Sequence, residues 1–389
     1  MIVAVDARAL QPGFRDHAGR GIGRYAVELV EALGRRDDVE LELWFERGLP
    51  LPASALPPRA SARWYLPVRV PPRRRLATLF ALPLAARTSR ADVFHYVAHV
   101  DGPPNMPAKG VATAHDLIPE LFGERYGTGR TFKSRAAHAF EASVLRTART
   151  LIAVSAVTRD DLVRLHHVDP ARVHVVHHGL NARFRVQEAG AITAARERYG
   201  LQGPGVLYVG GIDGRKNVGM LVDAFAHART LGMPAETELV LAGNIQGAPE
   251  YPALRERVRA HGLESVLRTP GFVGDAELPA LYAAADVFAF PSLYEGFGFP
   301  PLEAMACGVP VVSTAGGALG EVLGDAVCVA PADDPRAFGA ELAGLMRDPA
   351  LRAERRARGL AHAARFTWDR AAEGTVQAYR ASMAQRGRA

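Results

Sequence analysis

The feature that most constrains this chain is an alternation of short apolar runs and helix-length stretches that stalls midway and then begins again. The runs IVAVD (2–6), LELWF (41–45), DVFHY (92–96), GVATA (110–114), LIAVS (151–155) and VHVV (173–176) read as strands of the first series. Continuous apolar runs separated by helices point to parallel sheets covered on both faces. After a stall near 177–203, GVLYVG (205–210) runs straight into glycines and then a helix from about Asn217. ELVLAG (238–243), VLRTP (266–270), DVFAF (286–290), VPVVS (309–313) and AVCVA (326–330) continue the second series, with helices predicted at about 250–261, 275–284, 300–307 and 335–346. A strand–glycine–helix opening that restarts the pattern predicts an α/β chain of two doubly wound, Rossmann-like domains. The predicted boundaries are 1–185, 186–365 and a terminal helix, 366–389, packing back on the first domain. A length of 389 residues suits two such domains.

Local signals add detail. Ile22, Ala26, Leu29, Val30 and Leu33 line one face of a helix over 22–34, with Gly34 as its stop. Ser155 is an N-cap for a helix to about His167, and Thr367 for the terminal helix, whose apolar stripe is Trp368, Ala371, Ala372 and Tyr379. The Pro- and Arg-rich stretch 50–75 reads as irregular.

Composition then removes whole classes. Hydrophobic residues at 48% and charged residues at 23% exclude disorder, collagen and coiled coil. Two cysteines cannot form a disulfide scaffold, no run is long enough to span a bilayer, and MIVAVDARAL does not read as a secretory signal, so a cytoplasmic setting is expected. The net charge of +6 is uneven: residues 1–190 carry +8 and residues 191–389 carry −2. The excess is densest at Arg59, Arg63, Arg69 and Arg73–Arg75, just before LATLFALPLAA. That leaves two readings open, a surface for an anionic membrane or acidic acceptor, peripheral at the inner membrane face, and a solvated loop of an Arg-rich protein. No nucleic-acid motif accompanies the charge.

Two segments carry chemistry. In YVGGIDGRKNVGMLVDAF (208–225), a strand ends at Val209, Gly210, Gly211 and Gly214 follow, and Arg215 and Lys216 fall where a helix should start. Backbone N–H groups at a helix start, close approach over glycine, and two cations together suit a diphosphate. Lys216 is one of only three lysines, against 44 arginines. The spacing is neither a Walker motif nor GxGxxG. In PSLYEGFGFPPLEAMACGVPVV (291–312), Glu295 lies in a loop broken by Gly296 and Gly298, and Glu303 is predicted in the first turn of the next helix. Carboxylates suit paired sugar or ribose hydroxyls, since each oxygen accepts more than one hydrogen bond. The bland reading is a loop acid and a helix-start charge. His115 stands apart from His95, His177 and His178 because it follows the strand GVATA, at the sheet end where doubly wound domains bind ligands.

EGFGFPPLE and YVGGIDGRKN, with GRGIGRYAVELVEAL (19–33), ATAHDLIPELF (112–122), VSAVTRDDL (154–162), VVHHGLNARF (175–184) and FTWDRAAEGTVQAYR, resemble the retaining glycosyltransferases of the GT-B fold, family 4, from about residue 2 to 380. The resemblance implies two domains facing a cleft. It implies that Gly19, Gly21 and Ile22 approach the donor phosphate and acceptor, with Gly211 in the second glycine turn. His115 would lie beside the transferring sugar, and Arg215 and Lys216 would clamp the diphosphate. Glu295 with the amides of Gly296, Phe297 and Gly298 would hold the sugar, Glu303 the ribose, and Phe272 and Val273 the base. Two departures stand out: His178 replaces the commoner Asn of Asn-Gly, and STAGGALGEV (313–322) has Gly-Gly-Ala in place of the Ser-rich turn that the resemblance puts near the donor phosphates, which weakens the case for Thr314–Gly317 as ligands.

The implied activity is transfer of a hexose, mannose favoured, from a nucleotide-diphosphate sugar to a hydroxyl of a glycan, lipid-linked glycan or small-molecule acceptor. GDP-mannose is the favoured donor, with UDP- or dTDP-sugars as alternatives. No cofactor is expected, and no D-x-D triplet suggests a metal. A GT-B-fold sugar-nucleotide epimerase and a non-catalytic nucleotide-sugar-binding protein are the rival readings.

Overall fold

The computed structural model describes residues 1–14, 21–52, 56–65, 82–123 and 132–386. Its internal contacts divide the chain into two compact units, Met1–Gly179 with Thr367–Ala389, and Leu180–Phe366.

The first unit is built on a seven-stranded sheet in which every pair is parallel. Its strands are β1 (Ile2–Asp6), β2 (Glu40–Glu46), β3 (Ala60–Tyr65), β4 (Val93–Tyr96), β5 (Gly110–Ala114), β6 (Thr150–Ala153) and β7 (Val173–Val175), in the order β3-β2-β1-β4-β5-β6-β7. Because β1 lies between β2 and β4, the order reverses there, and the loops leaving β1 and β4 diverge to open a crevice at their carboxyl ends.

Strand β3 corrects the reading of 50–75 as irregular. It pairs with β2 from Leu41↔Ala60 to Glu46↔Tyr65. An edge strand needs only one partner and one buried face, so Ser61, Arg63 and Trp64 stay exposed while Tyr65 is buried. Arg63 faces Glu42 at 3.3 Å, and Arg59 faces Asp37 at 3.1 Å. Arg69 and Arg73–Arg75 lie outside the described residues. Of the apolar stretch that follows them, Leu82–Thr88 is helical. No helix among the described residues is long and apolar enough to cross a membrane.

Helix Gly21–Gly34 buries Tyr25, Ala26, Leu29, Val30 and Leu33. Gly34 has no room for a side chain, since a Cβ there would meet Pro57 at 2.2 Å. Helix Ala156–His166 is capped by Ser155, whose hydroxyl accepts the Thr158 N–H at 3.0 Å. Such a cap contributes about 1 kcal/mol. Helix Trp368–Arg386 packs on helix Gly21–Gly34 and on β6, burying Ala371, Ala372, Val376 and Tyr379. Gly179 makes that return possible: a Cβ would lie 2.2 Å from the Trp368 amide nitrogen.

The second unit holds a six-stranded parallel sheet, β8 (Gly205–Val209), β9 (Glu238–Ala242), β10 (Leu267–Gly271), β11 (Val287–Phe290), β12 (Val311–Ser313) and β13 (Cys328–Val329). The order β10-β9-β8-β11-β12-β13 places its reversal between β8 and β11. Leu207, Tyr208, Leu239, Leu241, Phe288 and Phe290 have no exposed surface, as expected of strands covered on both faces. The two chemistry-bearing segments are the loops leaving β8 and β11.

Candidate functional site

The loop after β8 turns on Gly210, at φ 152°, whose amide donates to the Ala242 carbonyl at 2.9 Å. A Cβ on Gly210 would press against the Tyr208 hydroxyl at 2.7 Å, and that hydroxyl donates to the Gly211 carbonyl. Asp213 then closes a tight turn. Its side chain accepts the Arg215 N–H at 3.1 Å and its carbonyl accepts the Lys216 N–H at 2.8 Å. Asn217 adopts the left-handed conformation at φ 56°, and the helix starts at Val218. Arg215 and Lys216 therefore sit on the turn itself, one step before the helix.

Both cations converge on Glu295. Glu295 Oε1 accepts from Arg215 Nη1 at 2.8 Å, Lys216 Nζ at 2.7 Å and Ser292 Oγ at 2.6 Å. Arg215 Nη1 also donates to the Tyr294 carbonyl at 2.7 Å, and Lys216 Nζ lies 5.2 Å over the Phe290 ring. All three side chains are nearly buried, with 10% of Arg215, 15% of Lys216 and 12% of Glu295 exposed. Burial alone would raise the Glu295 pKa, but the adjacent Lys216 and Arg215 outweigh it and hold the carboxyl below the usual carboxylate range. It is therefore a permanent hydrogen-bond acceptor at neutral pH.

The turn after β12 braces this loop. The Glu295 N–H donates to the Gly316 carbonyl at 3.3 Å, the Ala318 N–H donates to the Glu295 carbonyl at 2.8 Å, and Thr314 Oγ1 donates to the Ser292 carbonyl. Gly317, at φ 60°, comes so close that a Cβ would meet the Glu295 carbonyl oxygen at 2.4 Å. Ser292 was missed as a part of the site. Gly316 and Gly317, weighed from the sequence only as donor-side ligands, act here as a brace, and the paired glycine in STAGGALGEV is the signal of that close backbone approach.

Glu303 does not join the cluster of Glu295 and its two cations. It is the fifth residue of helix Phe299–Ala306, beyond the predicted first turn, because Phe299 rather than Pro300 or Pro301 opens the helix. It is 3% exposed and accepts a hydrogen bond from the Tyr282 hydroxyl at 2.9 Å. Gly298 supplies the positive φ (105°) just before that helix, and the Phe297 ring turns inward, 5.2 Å edge-on from Phe299 and 6.0 Å from Phe366. Any ligand role of Gly296–Gly298 thus falls to the backbone. Phe272 follows β10 and is 76% exposed, while its neighbour Val273 is buried.

In the first unit, His115 lies just past the carboxyl end of β5, and its Nε2 donates to the Val97 carbonyl at 2.8 Å. Tyr25 packs edge-on against it at 4.7 Å, and the His178 ring stacks at 5.6 Å. The substituted His178 is therefore part of the surroundings of His115, held well below the usual histidine range by burial, His115 and His177. A buried chain runs beneath: Tyr25 hydroxyl to Thr113 hydroxyl at 3.0 Å, Thr113 to His95 Nε2 at 2.8 Å, and His95 Nδ1 to the Tyr379 hydroxyl at 2.7 Å. Burial, aided by His115, pushes His95 down to about 3. Gly21 opens helix Gly21–Gly34 on the surface, and Gly19 is outside the described residues.

Residues 203–348 match the family described as glycosyl transferases group 1, and residues 19–184 match glycosyltransferase family 4. O-antigen chain mannosyltransferase B of Escherichia coli is 31% identical over 377 residues, which cover 92% of this chain and 96% of that protein. A D-inositol 3-phosphate glycosyltransferase of Salinispora arenicola is 33% identical over 336 residues, 80% of this chain and 75% of that one. Among solved structures, sucrose-phosphate synthase of Thermosynechococcus elongatus superposes with a TM-score of 0.72 at 20% identity, covering 98% of each chain. Anabaena HepE in complex with UDP and glucose gives 0.70 at 18% identity, covering 97% of this chain and 98% of that one. The two Rossmann-like domains give the chain the GT-B fold, and the family matches and the mannosyltransferase relative make it a glycosyltransferase. The chain belongs to glycosyltransferase family 4.

Proposed function

We propose that the enzyme is a retaining mannosyltransferase, moving mannose from a nucleotide-diphosphate sugar, GDP-mannose favoured, to a hydroxyl of a glycan. The observation that carries this is the convergence of Arg215, Lys216 and Ser292 on one oxygen of Glu295, at the reversal point of the second sheet. It sets two cations suited to a diphosphate within hydrogen-bond distance of an ionised acceptor suited to sugar hydroxyls. The mannosyltransferase relative supports the choice of sugar. Glu303 with Tyr282 would hold the ribose, Phe272 and Val273 the base, and the amides of Gly211 and Gly296–Gly298 the phosphates and sugar.

In this reading the anomeric C–O bond breaks with its electron pair leaving on the diphosphate, whose charge Arg215 and Lys216 stabilise from fixed positions. The acceptor oxygen bonds the anomeric carbon from the same face, and its proton passes to the departing phosphate oxygen. Glu295 orients the sugar throughout. The family resemblance would give His115 a place beside the reacting sugar. The cations take the charge-neutralising part that a metal plays elsewhere, so turnover is expected to survive a chelator; loss restored by magnesium would reject that part of the scheme.

Calorimetric titration with GDP, UDP, dTDP and ADP sugars tests the donor. Arg215→Ala and Lys216→Ala should each weaken donor affinity at least tenfold. Unchanged affinity in both would remove the diphosphate clamp.

A further inference from the structure

Four rings meet just past the carboxyl end of β5, and one of them belongs to His178, the residue that departs from the family pattern. His115 donates its Nε2–H to the Val97 carbonyl at 2.8 Å. That bond fixes the tautomer and one corner of the imidazole, while the tilt of the ring is set by what lies against its edge and face. Tyr25 stands edge-on to it at 4.7 Å, with the planes at 83°. The His178 ring lies against it nearly parallel, at 5.6 Å and 27°. Tyr25 and His178 also pack on each other at 4.8 Å, and Trp368 backs both at 6.0 Å.

Both walls are rooted in the first unit. His178 is buried between two fixed points of the backbone: the Val176 N–H donates to the Ala153 carbonyl at 2.9 Å, and Gly179 packs directly on the Trp368 backbone. Tyr25 is buried too, and its hydroxyl lies 3.0 Å from that of Thr113, which lies 2.8 Å from His95 Nε2. Thr113 stands on β5, the strand that leads to His115, and His95 on β4, the strand that leads to Val97. Their bond therefore ties the carrier of the ring to the carrier of its acceptor carbonyl. Burial, His115 and His177 hold His178 well below the usual histidine range, so no charge on it opposes the stacking at neutral pH. Asn at 178 would complete a turn of the backbone, but it has no ring to lay against His115.

A reacting group acts from a fixed orientation only when packing locks its rotamer. We propose that His178 is a positioning residue for the transfer reaction, its ring and that of Tyr25 holding His115 at one tilt toward the sugar. This rests on the place beside the sugar given to His115 above. A role confined to the backbone turn predicts the opposite pattern, in which Asn at 178 suffices and a larger ring does not.

The test uses the full chain with nitrogen-labelled histidine, the His115 ring signals being identified by their loss in His115→Gln. Turnover is read as GDP released from GDP-mannose with methyl α-mannoside as acceptor, and nucleotide affinity by calorimetry with GDP. His178→Asn should lower kcat at least fivefold while donor KM and GDP affinity stay within twofold. Its His115 ring should pass from the Nε2–H tautomer to a mixture of both. His178→Phe restores a ring without an imidazole, and should recover the single tautomer and at least half of the wild-type kcat. The proposal fails if His178→Asn keeps the wild-type kcat while His115→Gln loses it. It fails equally if kcat falls in His178→Asn with the tautomer unchanged, or if a folded His178→Phe behaves as His178→Asn does. Thermal unfolding shows which variants are folded, and should His178→Phe not fold, His178→Asn decides alone. If no turnover is seen, or His115→Gln turns over like the wild type, while His178→Asn loses the single tautomer, the place of His115 in the reaction fails and its fixing by His178 stands.

Discussion

Replacing Glu295 by Gln separates the structural part of this site from its chemical part. In the wild type, the negative charge of Glu295 is shared by Arg215 and Lys216, which are 10% and 15% exposed. Breaking a buried ion pair from one side costs roughly 3–5 kcal/mol, because the partner charge is left without compensation. The amide oxygen of Gln still accepts from Ser292 and one cation, so the cost falls below that range, to about 2–3 kcal/mol. For a domain of this size each kcal/mol moves Tm by about 2–4 °C, so the transition of the second unit should fall by about 4–12 °C. A nucleoside diphosphate brings negative charge to those same two cations. It should therefore raise the Tm of the variant more than that of the wild type, and bind it as tightly or more tightly. Transfer should still fall by about 10²-fold or more, since the group orienting the sugar is weakened. Differential scanning calorimetry with and without GDP or UDP, calorimetric titration and a turnover assay measure the three quantities. Nucleotide affinity falling in step with turnover would show that Glu295 serves the diphosphate, and would refute the division of labour.

Two shorter predictions concern the buried histidine of the first unit and the glycine that braces the Glu295 loop. His95 is held at about 3 in the fold against an ordinary 6.5, so above pH 6.5 it is neutral in both states and its contribution is complete. Between 6.5 and 3 only the unfolded chain takes the proton, and stability of the first unit falls by about 1.4 kcal/mol per pH unit from this group. Urea unfolding from pH 4 to 7 should accordingly show a slope about one proton shallower in His95→Gln, and parallel slopes would contradict the assignment. Gly317→Ala puts a methyl group 2.4 Å from the Glu295 carbonyl oxygen at a positive φ. It should lower transfer at least tenfold through displacement of the Glu295 loop, and a variant with wild-type kinetics would show that the brace is dispensable.

Much of the architecture was legible because buried parallel strands leave a simple trace. GVATA matches β5 residue for residue, and the glycine-led restart at 205 coincides with β8. Ser155 as a cap was equally readable, since capping is a local hydrogen bond between residues three apart. Strand β3 was hidden by its composition: an edge strand buries little, so Arg63 and Trp64 gave no apolar signal. The start of helix Phe299–Ala306 was misplaced because either proline fits a first turn equally well by sequence.

The sequence alone determined the two doubly wound units and the residue types at the ends of β5, β8 and β11, since strand periodicity, glycine turns and caps are fixed by neighbours along the chain. Only the tertiary structure decided which of those residues meet. Arg215 and Glu295 are 80 positions apart, Tyr379 and His95 are 284 apart, and each pair is joined by a strand order or a returning helix that no local pattern encodes. The charge state of Glu295 was likewise undecided until its surroundings were known, because burial and two neighbouring cations act in opposite directions and their balance depends on distances that exist only in the fold.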